Sequence, residues 1–531
     1  MKLVAIDTET AGLHGAIHRV GFLNERGQYV YGGREKFPAL RREIARTQRI
    51  IMFNAKYDME ILTGAGVRIP WEKVDDPIIM ATLVTNSQQK SLLRLALDHL
   101  DYDGAEDLAL EDYKTEHKIK EDYSQIPDDV LRPYNHRQLI NTICLFALWR
   151  DHLPADAYRM EMDLIPVLLD MERRGVRVSS RRLKEARMHL NRERSQLSED
   201  IAKEAGADFD PGSPKQVGEY LTERGVELPR TAKGRAATGE AILMKRGGKF
   251  GALILRHRRL GKLIGTYVDG LLDDVREDGA IHASFAQTVT RTGRLSSSNP
   301  NMQNIDKERV IRRTFLVRRG FENLAADYNQ IELRLAFFFA GDSAGVRSIM
   351  AGEDLHQATA NLFGVERFKG KTVNFAILYG EGGPALGAQL GISVQDAWDF
   401  IDGFFRAHPE VEVHRNRVMW EAKKKGVVRL PSGRELHIEP TEYFKSYNYL
   451  IQGGAAEVIK KAMVECRRLL LPTKSAMLLQ IHDELVFELK AGERKRLLPR
   501  LVKAMVDACH YPMRVDVTRW EGDWSQEEVV V

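Results

Sequence analysis

The segment 477–489, MLLQIHDELVFEL, constrains the fold of this chain more than any other part of its sequence. Two apolar runs of strand length flank the polar triplet His482-Asp483-Glu484, and tight turns favour aspartate. The pattern therefore predicts an antiparallel hairpin with a carboxylate at its tip. Acidic residues at hairpin tips are ordinary, so Asp483 becomes informative only if a second carboxylate meets it.

Asp327 is the candidate for that second carboxylate. It follows the apolar strand NLAA, and a helix containing Leu333 and Leu335 comes after it. For Asp327 taken alone, a helix N-cap is the commoner interpretation. Two carboxylates from separate elements are, however, what two-metal phosphoryl transfer requires, because ions about 3.5–4 Å apart share oxygen ligands.

A third segment, ERFKGKTVNFAILYG at 366–380, places Arg367, Lys371, Phe375 and Tyr379 four residues apart. At about 3.6 residues per turn, these side chains form one stripe on a helix. Two cations followed by two rings suit a nucleotide, with the triphosphate at the cations and the sugar and base at the rings. A core aromatic stripe with snorkelling basic ends is the alternative.

Three regions of different pattern follow one another along the 531 residues, a length that suggests about three domains or fewer. Residues 1 to about 150 read as α/β, with strands at KLVAI, HRVGFL, QYVYGG and RIIMFN. Residues 155–275 are helical and rich in charge, and the basic segment LILRHRRLGKLIGTYVDGLLDDV suits either a solvated face or phosphate contacts. Residues 280–531 alternate strands and helices.

Composition limits the class of protein only loosely. The net charge of +4 permits a nucleic-acid partner without requiring one. Cys144, Cys466 and Cys509 have neither metal-site nor disulfide spacing, which predicts a reducing cytoplasm. The N-terminus lacks the pattern of a secretory signal, and no apolar run approaches the roughly 20 residues that span a membrane.

In order along the chain, these segments resemble the family A DNA polymerases, typified by bacterial DNA polymerase I. The resemblance covers about 370 of the 531 residues, and its segments keep the family's order. The matching segments are SPKQVGEYL (213–221), TGRLSSSNPNMQNI (292–305), DYNQIELR (327–334), DLHQATA (354–360), ERFKGKTVNFAILYG (366–380), YLIQGGAAEVIKKAM (449–463) and LLQIHDELVFE (478–488).

The resemblance implies two Mg²⁺ ions, for which Mn²⁺ can substitute, held by Asp327, Asp483 and the carbonyl of Tyr328. Lys371 would give a proton to the leaving pyrophosphate, and Glu332 would act as a steric gate against ribonucleotides. The implied nucleotide-binding residues are Arg367, Lys371, Phe375, Tyr379, His356, Glu332 and Gln330. The implied DNA-binding residues are Arg294, Asn301, Gln303, Asn448, Gln452 and His482, with Glu484 near the metals.

The N-terminal region resembles the ribonuclease H-like 3′–5′ exonuclease of that family, which uses four acidic ligands. Asp7 and Glu9 are two residues apart at a strand end, so both point to one side. Asn54 and Asp58 lie at the next strand-to-helix transition. The fourth ligand belongs to a Tyr-x-x-x-Asp pattern, in which Tyr134 fits but position 138 is Gln138.

A histidine-type version of the pattern starts at His136 and places Asn141 where an aspartate is needed. Both alignments replace a charged ligand by an amide, which binds a divalent ion less strongly than a carboxylate. We therefore expect proofreading to be absent or severely weakened and the domain to act mainly as a scaffold.

The expected fold is multidomain, α/β and α+β, with a ribonuclease H-like exonuclease domain followed by a right-hand polymerase. Its expected parts are the exonuclease-like domain 1–154, thumb 155–290, palm 291–350 and 435–531, and fingers 351–434. Because no 5′ nuclease precedes the first strand, the compact form resembles a phage replicative enzyme. We expect a monomer in the host cytoplasm that binds primer–template DNA, dNTPs and accessory proteins.

Three other functions fit parts of the sequence. A stand-alone nuclease would not extend a primed template, and the Asp327/Asp483 pair disfavours it. A single-subunit RNA polymerase has similar motifs, but Glu332 and TGRLSS favour the DNA enzyme. An architectural DNA-binding protein would bind duplex DNA without synthesis.

Overall fold

The structure is a computed structural model that describes residues 1–12, 15–85, 90–231 and 233–530. Within those residues the chain is a mixed α/β multidomain protein with two five-stranded sheets, one near each end. None of the described helices combines the length and apolar character needed to cross a bilayer.

The N-terminal sheet has the order β3-β2-β1-β4-β5, with β1 antiparallel to β2 and parallel to β4. Its strands are β1 Leu3–Thr10, β2 Ile17–Asn24, β3 Tyr29–Gly32, β4 Arg49–Ile51 and β5 Val74–Asp75. The surrounding helices are α1 Phe37–Arg46, α2 Ala55–Gly64, α3 Pro77–Val84, α4 Leu92–His99, α5 Ala105–His117 and α6 Asp128–Trp149. The four predicted strands are confirmed.

Alternate residues of β1 face two different cores, as strand geometry requires. Val4 and Ile6 pack in the cluster that includes residues of α1 and α2, while Ala5 packs in the cluster that includes residues of α6. Asp7 and Glu9 continue the α6-facing series, so they point toward that helix. This arrangement brings side chains of α6 over the end of β1.

The middle of the chain is helical, as predicted. Its elements are α7 Ala155–Arg174, β6 Val176–Arg177, α8 Ser180–Ala205, α9 Pro214–Glu223, α10 Glu240–Arg246, α11 Gly248–Lys262, α12 Gly270–Asp274, β7 Ala280–Ile281 and β8 Ser284–Ala286. Helix α7 ends at Gly175, whose φ of +59° favours glycine. Residues Leu263–Asp269 form π-helix, so the basic helix expected over 253–275 has an irregular centre.

The C-terminal sheet is antiparallel, with the order β13-β14-β10-β15-β16. Its strands are β10 Phe321–Tyr328, β13 Ala476–Ile481, β14 Glu484–Lys490, β15 Val515–Trp520 and β16 Glu528–Val529. The predicted hairpin of β13 and β14 is confirmed, and His482 at its tip has a φ of +53°. Buried Leu324 and Val486 lie on neighbouring strands in one core.

Helices connect β10 to β13 and form a second lobe with its own core around Phe337 and Phe404. Before this lobe come β9 Ser296–Ser298 and α13 Arg309–Arg312. The lobe comprises α14 Ile331–Ala340, α15 Ser343–Met350, α16 Leu355–Phe363, α17 Arg367–Tyr379, α18 Gly383–Leu390, α19 Val394–Ala407, α20 Pro409–Lys425, β11 Val427–Arg429, β12 Glu435–His437 and α21 Ser446–Leu470. Helix α22 Arg494–Val506 follows β14.

Candidate functional site

The structure brings Asp327 and Asp483 to the same edge of the C-terminal sheet. Asp327 lies at the end of β10, opposite Glu484 in the strand register. The backbone N–H of Tyr328 donates to the Asp483 carbonyl oxygen at 3.0 Å. Both aspartates line an open cleft of about 880 Å³. The two aspartates therefore lie at one site, as the sequence predicts.

Burial and mutual repulsion shape the electrostatics of this edge. Burial, followed by the charges of Asp483 and Asp516, raises the pKa of Asp327 to about 6. Burial also raises the pKa of Asp483, which the positive charge of Arg294 opposes. Burial and Asp327 together raise the pKa of Glu484 to about 7. A bound cation would offset the repulsion among these carboxylates and favour their charged forms.

The donor set at this edge fits a divalent ion. Asp483 Oδ1 is buried and has no hydrogen-bond partner among the described atoms. Buried acceptors are normally satisfied, so a free carboxylate oxygen beside a second carboxylate is a suitable ligand for a cation. Asp327, Asp483 and the Tyr328 carbonyl supply the oxygen ligands that Mg²⁺ prefers.

Glu332, Arg294 and Tyr379 form a group beside the two aspartates. Arg294 Nη2 donates to Glu332 Oε1 in an ion pair. Glu332 is 6% exposed, and burial raises its pKa while Arg294 opposes the rise. Burial and the nearby Glu332 charge raise the pKa of Tyr379 to about 12, so its hydroxyl remains protonated at neutral pH. Glu332 Oε2 accepts no hydrogen bond from the described residues.

Helix α17 presents the predicted stripe of cations and rings. Arg367 and Lys371 are exposed, and Phe375 and Tyr379 are half-buried. Lys371 Nζ lies 5.6 Å from the Phe375 ring centroid, and the two rings are 5.5 Å apart. Close packing against α16 requires glycine at position 370 of this helix, because a Cβ there would lie 2.4 Å from the carbonyl oxygen of His356.

Asp354, a residue that the sequence interpretation missed, organises the start of this face. It caps α16 by accepting from the backbone N–H of His356 at 2.9 Å. It also accepts from Gln330 Nε2 at 3.2 Å and from Arg367 Nε at 2.7 Å. An Asp directly before a helix is a capping signal that could have identified it.

His356 lies in a different setting from the one expected of a free phosphate ligand. It is 6% exposed, and its Nδ1 lies 2.9 Å from Asn374 Nδ2. Burial and the nearby charge of Arg367 lower its pKa to about 4, so the ring is neutral at pH 7. A neutral imidazole can donate a hydrogen bond to phosphate through Nε2 but adds no positive charge.

The residues expected along DNA lie on three separate elements around the cleft. Gln303 Nε2 donates to Gln480 Oε1 at 2.8 Å, and Asn301 Oδ1 accepts from the Gln303 N–H. Gln452 lies on α21, and its side chain opposes the rise in the pKa of Tyr379. The Oδ1 atom of Asn448 is buried without a partner in the described part of the chain. Asn301, Gln303 and His482 line the same cleft as the two aspartates.

Asp516 is another acidic residue that the sequence interpretation missed. It lies opposite Asp327 in the pairing of β10 with β15. Asn329 Nδ2 donates to its Oδ2 at 2.7 Å, and Arg514 Nε lies 2.9 Å from its Oδ1. Because these partners already satisfy it, Asp516 acts on Asp327 mainly through charge. No local motif marks it, since its position depends on strand register.

The N-terminal sheet carries a second group of carboxylates. Asn135 Nδ2, on α6, donates to Asp7 Oδ2 at 2.7 Å and to Glu9 Oε1 at 3.3 Å. Asp58 Oδ1 accepts from Thr8 Oγ1 at 2.6 Å. Burial raises the pKa of Asp7 to about 6 and the pKa values of Glu9 and Asp58 well above their usual range.

Gln138 is directed away from those carboxylates. Its Nε2 donates to both carboxylate oxygens of Asp107 on α5, each at 3.1 Å. Tyr134 packs in a small apolar cluster with Leu110 and Leu131. An amide at position 138 replaces the fourth carboxylate, so the described residues do not fit a four-carboxylate, two-metal site.

Comparisons with known proteins agree with this geometry. The family model "DNA polymerase family A" matches residues 180–524. DNA polymerase I of Chloroflexus aurantiacus is 32% identical over 507 residues, covering 87% of this chain and 53% of that protein. The Pseudomonas aeruginosa DNA polymerase I is 32% identical over 478 residues, covering 82% and 52%. This chain thus spans about half the length of these relatives.

A solved structure extends the likeness to nearly the whole chain. The "POL domain of Pol1 from M. smegmatis complex with DNA primer-template and dNTP" has a TM-score of 0.86 and 26% identity, covering 99% of this chain and 96% of that one. The family match covers more than half of the residues and includes both aspartates. The chain therefore belongs to DNA polymerase family A.

Proposed function

We propose that this protein is a DNA-templated DNA polymerase that extends a primer 3′ end with dNTPs by two-metal phosphoryl transfer. The observation that carries the proposal is the meeting of Asp327 and Asp483 in one cleft, with a free buried oxygen on Asp483. Family membership and a structural neighbour named as a complex with primer-template DNA and dNTP support it.

We assign a separate role in the proposed reaction to each group of residues in the cleft. Asp327, Asp483 and the Tyr328 carbonyl would hold two Mg²⁺ ions, and the bound ions would supply the charge that acidifies a primer 3′-hydroxyl and stabilises a leaving pyrophosphate. Arg367 and Lys371, exposed on α17, meet the triphosphate, and Lys371 gives the leaving group a proton.

Nucleotide choice is assigned to the group around Glu332. Arg294 and burial fix its carboxylate in one position. A rigid side chain beside the sugar excludes a ribose 2′-hydroxyl by occupying its space. Phe375 packs on the deoxyribose and Tyr379 lies at the templating pair, while Gln330 and His356 complete the triphosphate side.

We assign the parts of a right-hand polymerase as the sequence suggested. Residues 155–290, with the long helices α8 and α11, form the thumb. Residues 291–350 and 435–531, which contain β10 and β13–β15, form the palm, and 351–434, with α17, form the fingers. Arg294, Asn301, Gln303, Asn448, Gln452 and His482 are assigned to the duplex.

We also propose that proofreading by the N-terminal domain, residues 1–154, is absent or severely weakened. Gln138 supports this proposal because it pairs with Asp107 and brings no charge to the site. Asn135, the α6 residue that reaches this group, likewise brings no charge, since its neutral amide donates to Asp7 and Glu9.

Primer extension with Mg²⁺, on matched and mismatched 3′ ends, tests both proposals together. Wild-type protein should incorporate dNTPs and leave a mismatched end uncut. Asp483→Asn should abolish extension while leaving primer–template affinity within about twofold, because it removes a metal ligand and no DNA contact. Asp507→Asn, on the surface near the end of α22, is the control. Normal turnover by the Asp483 variant would refute the metal assignment.

A further inference from the structure

Asn329 lies directly after β10, where the chain leaves the C-terminal sheet. It has no role in the chemistry proposed above. Gln330, the next residue, has a φ of +55°, and this left-handed conformation prevents the strand from continuing. Backbone that leaves a sheet loses its ladder hydrogen bonds, so the position of Asn329 depends on the contacts that replace them.

Hydrogen bonds from two elements hold Asn329 in place. Its N–H donates to the Arg514 carbonyl oxygen at 2.9 Å, and its Nδ2 donates to Asp516 Oδ2 at 2.7 Å. Arg514 Nε in turn donates to Asp516 Oδ1 at 2.9 Å. On the other side, Arg334 Nε, on α14, donates to the Asn329 carbonyl oxygen at 2.7 Å, and Arg334 is 3% exposed. Asn329 is therefore tied both to the start of β15 and to α14.

These bonds determine the direction of the Tyr328 carbonyl. The C=O of Tyr328 and the N–H of Asn329 belong to one planar, trans peptide unit, so they point in opposite directions. The N–H points to the β15 side, and the carbonyl consequently points to the β14 side, where Asp483 lies. The Tyr328 N–H agrees, because it donates to the Asp483 carbonyl oxygen and because the N–H and C=O of a strand residue face the same neighbour.

The bond between Asn329 and Asp516 adds a second tether on the β15 side. A bond to a carboxylate is stronger than one between neutral groups. Without it, the peptide unit between Tyr328 and Asn329 keeps one hydrogen bond to Arg514, about which it can rotate. The two bonds together fix the plane of that peptide unit.

We infer that Asn329 and Asp516 are positioning residues that aim the Tyr328 carbonyl at the site of Asp327 and Asp483. The inference rests on the proposed polymerase function, in which that carbonyl is a metal ligand. Groups that orient a metal ligand typically change metal affinity about ten- to a hundredfold. The Asp516 side chain is 38% exposed, so the lower end of that range applies. Asp516 also acts through its charge, whereas Asn329 is neutral and its substitution tests positioning alone.

Equilibrium binding of Mn²⁺ tests the inference without requiring turnover. The full chain is mixed with the next dNTP and a primer–template whose primer lacks a 3′-hydroxyl, which prevents reaction. Electron paramagnetic resonance then measures free Mn²⁺, with the same mixture without protein as the blank. We expect Asn329→Ala to raise the Kd for Mn²⁺ about tenfold while the Kd for primer–template changes less than about twofold. Primer–template binding also reports that the variant is folded.

A double-mutant cycle identifies the partner through which Asn329 acts. Asp516→Ala should weaken Mn²⁺ binding at least as much as Asn329→Ala, because it removes both the acceptor and a nearby charge. Adding Asn329→Ala to Asp516→Ala should change the Kd for Mn²⁺ less than about twofold, because the shared bond is already lost.

A matched control lies on α19. Gln395 Nε2 donates to Asp399 Oδ1 at 3.0 Å on the surface, so Gln395→Ala removes an equivalent amide–carboxylate bond. This variant should bind Mn²⁺ as the wild type does. On an extendable primer, Asn329→Ala should be slow at limiting Mg²⁺ and return to within about twofold of the wild-type rate at saturating Mg²⁺.

Three outcomes overturn the inference. One is a wild-type Kd for Mn²⁺ in Asn329→Ala. Another is an equal effect of Asn329→Ala with and without Asp516, which shows that it acts through another contact. The third is an equal loss of Mn²⁺ and primer–template affinity, which indicates general damage to the fold. Failure of the polymerase proposal would look different, because the wild-type complex would then bind no Mn²⁺ beyond the blank and would not extend a primer.

Discussion

The buried carboxylate of Glu161 connects α7 to three segments that are distant in the sequence, so its substitution tests how much these contacts stabilise the fold. It lies on α7 and is 2% exposed. Its Oε1 atom accepts from Arg434 Nη1 at 3.1 Å and from Lys460 Nζ at 2.5 Å. Its Oε2 atom accepts from Gln287 Nε2 at 2.7 Å. One carboxylate therefore holds two buried cations and an amide from distant segments.

The substitution Glu161→Gln keeps the shape of the side chain and removes its charge. Arg434 and Lys460 are 3% and 2% exposed, so neither can recover its hydration without rearrangement. Breaking a buried ion pair by removing one partner costs about 3–5 kcal/mol. We expect a loss of that size in the free energy of unfolding, most of it arising from the two unpaired cations.

Urea unfolding followed by tryptophan fluorescence measures this loss. Glu465→Gln is the control, because its pair with Arg468 is half-exposed and should contribute about 0–1 kcal/mol. Adding Lys460→Met to Glu161→Gln removes one stranded cation and should recover part of the loss. A loss below about 1 kcal/mol, or a double variant less stable than the single one, would refute this reasoning.

Three further predictions concern nucleotide choice, editing and pH. Glu332→Ala should lower the dNTP-over-rNTP ratio of kcat/KM roughly ten- to a hundredfold, and an unchanged ratio contradicts the gate assignment. The double variant Gln138→Asp/Asp107→Asn should digest a single-stranded 3′ end faster than wild type. Gln138→Asp adds the missing carboxylate, and Asp107→Asn removes the carboxylate with which residue 138 now pairs. Brisk digestion by the wild-type protein would contradict the proposal that proofreading is absent or weakened. Burial lowers the pKa of His414 to about 4, below its unfolded value near 6.5, so unfolding takes up a proton. The free energy of unfolding should therefore fall as pH decreases from about 7 toward 4, and His414→Asn should reduce that slope; an equal slope in the variant speaks against it.

Local patterns predicted the elements of this fold well. The hairpin at 477–489 and the strand ending at Asp327 follow from alternation and turn chemistry that involve only neighbouring residues. The stripe on α17 follows from helical spacing alone. These elements could be predicted because the residues that determine each strand, turn or helix are neighbours in the sequence.

Contacts that depend on register or on distant packing could not be predicted in the same way. Asp516 acts on Asp327 because two strands align at one offset, and no spacing in the sequence encodes that offset. The Tyr-x-x-x-Asp pattern points to Tyr134 and Gln138, whereas Asn135 is the α6 residue whose amide donates to Asp7. The partner of Gln138, Asp107, lies on another helix whose packing angle no local pattern specifies.

The strand order of the C-terminal sheet has a consequence for engineering this chain. Strand β10 pairs directly with β14, so the two proposed metal-binding aspartates are held by backbone ladder bonds rather than by the helical lobe between them. Lengthening a surface loop in that lobe, such as the one between α18 and α19, should leave their spacing intact. A single register slip between β10 and β14 would instead turn every side chain of one strand to the opposite face and dismantle the site.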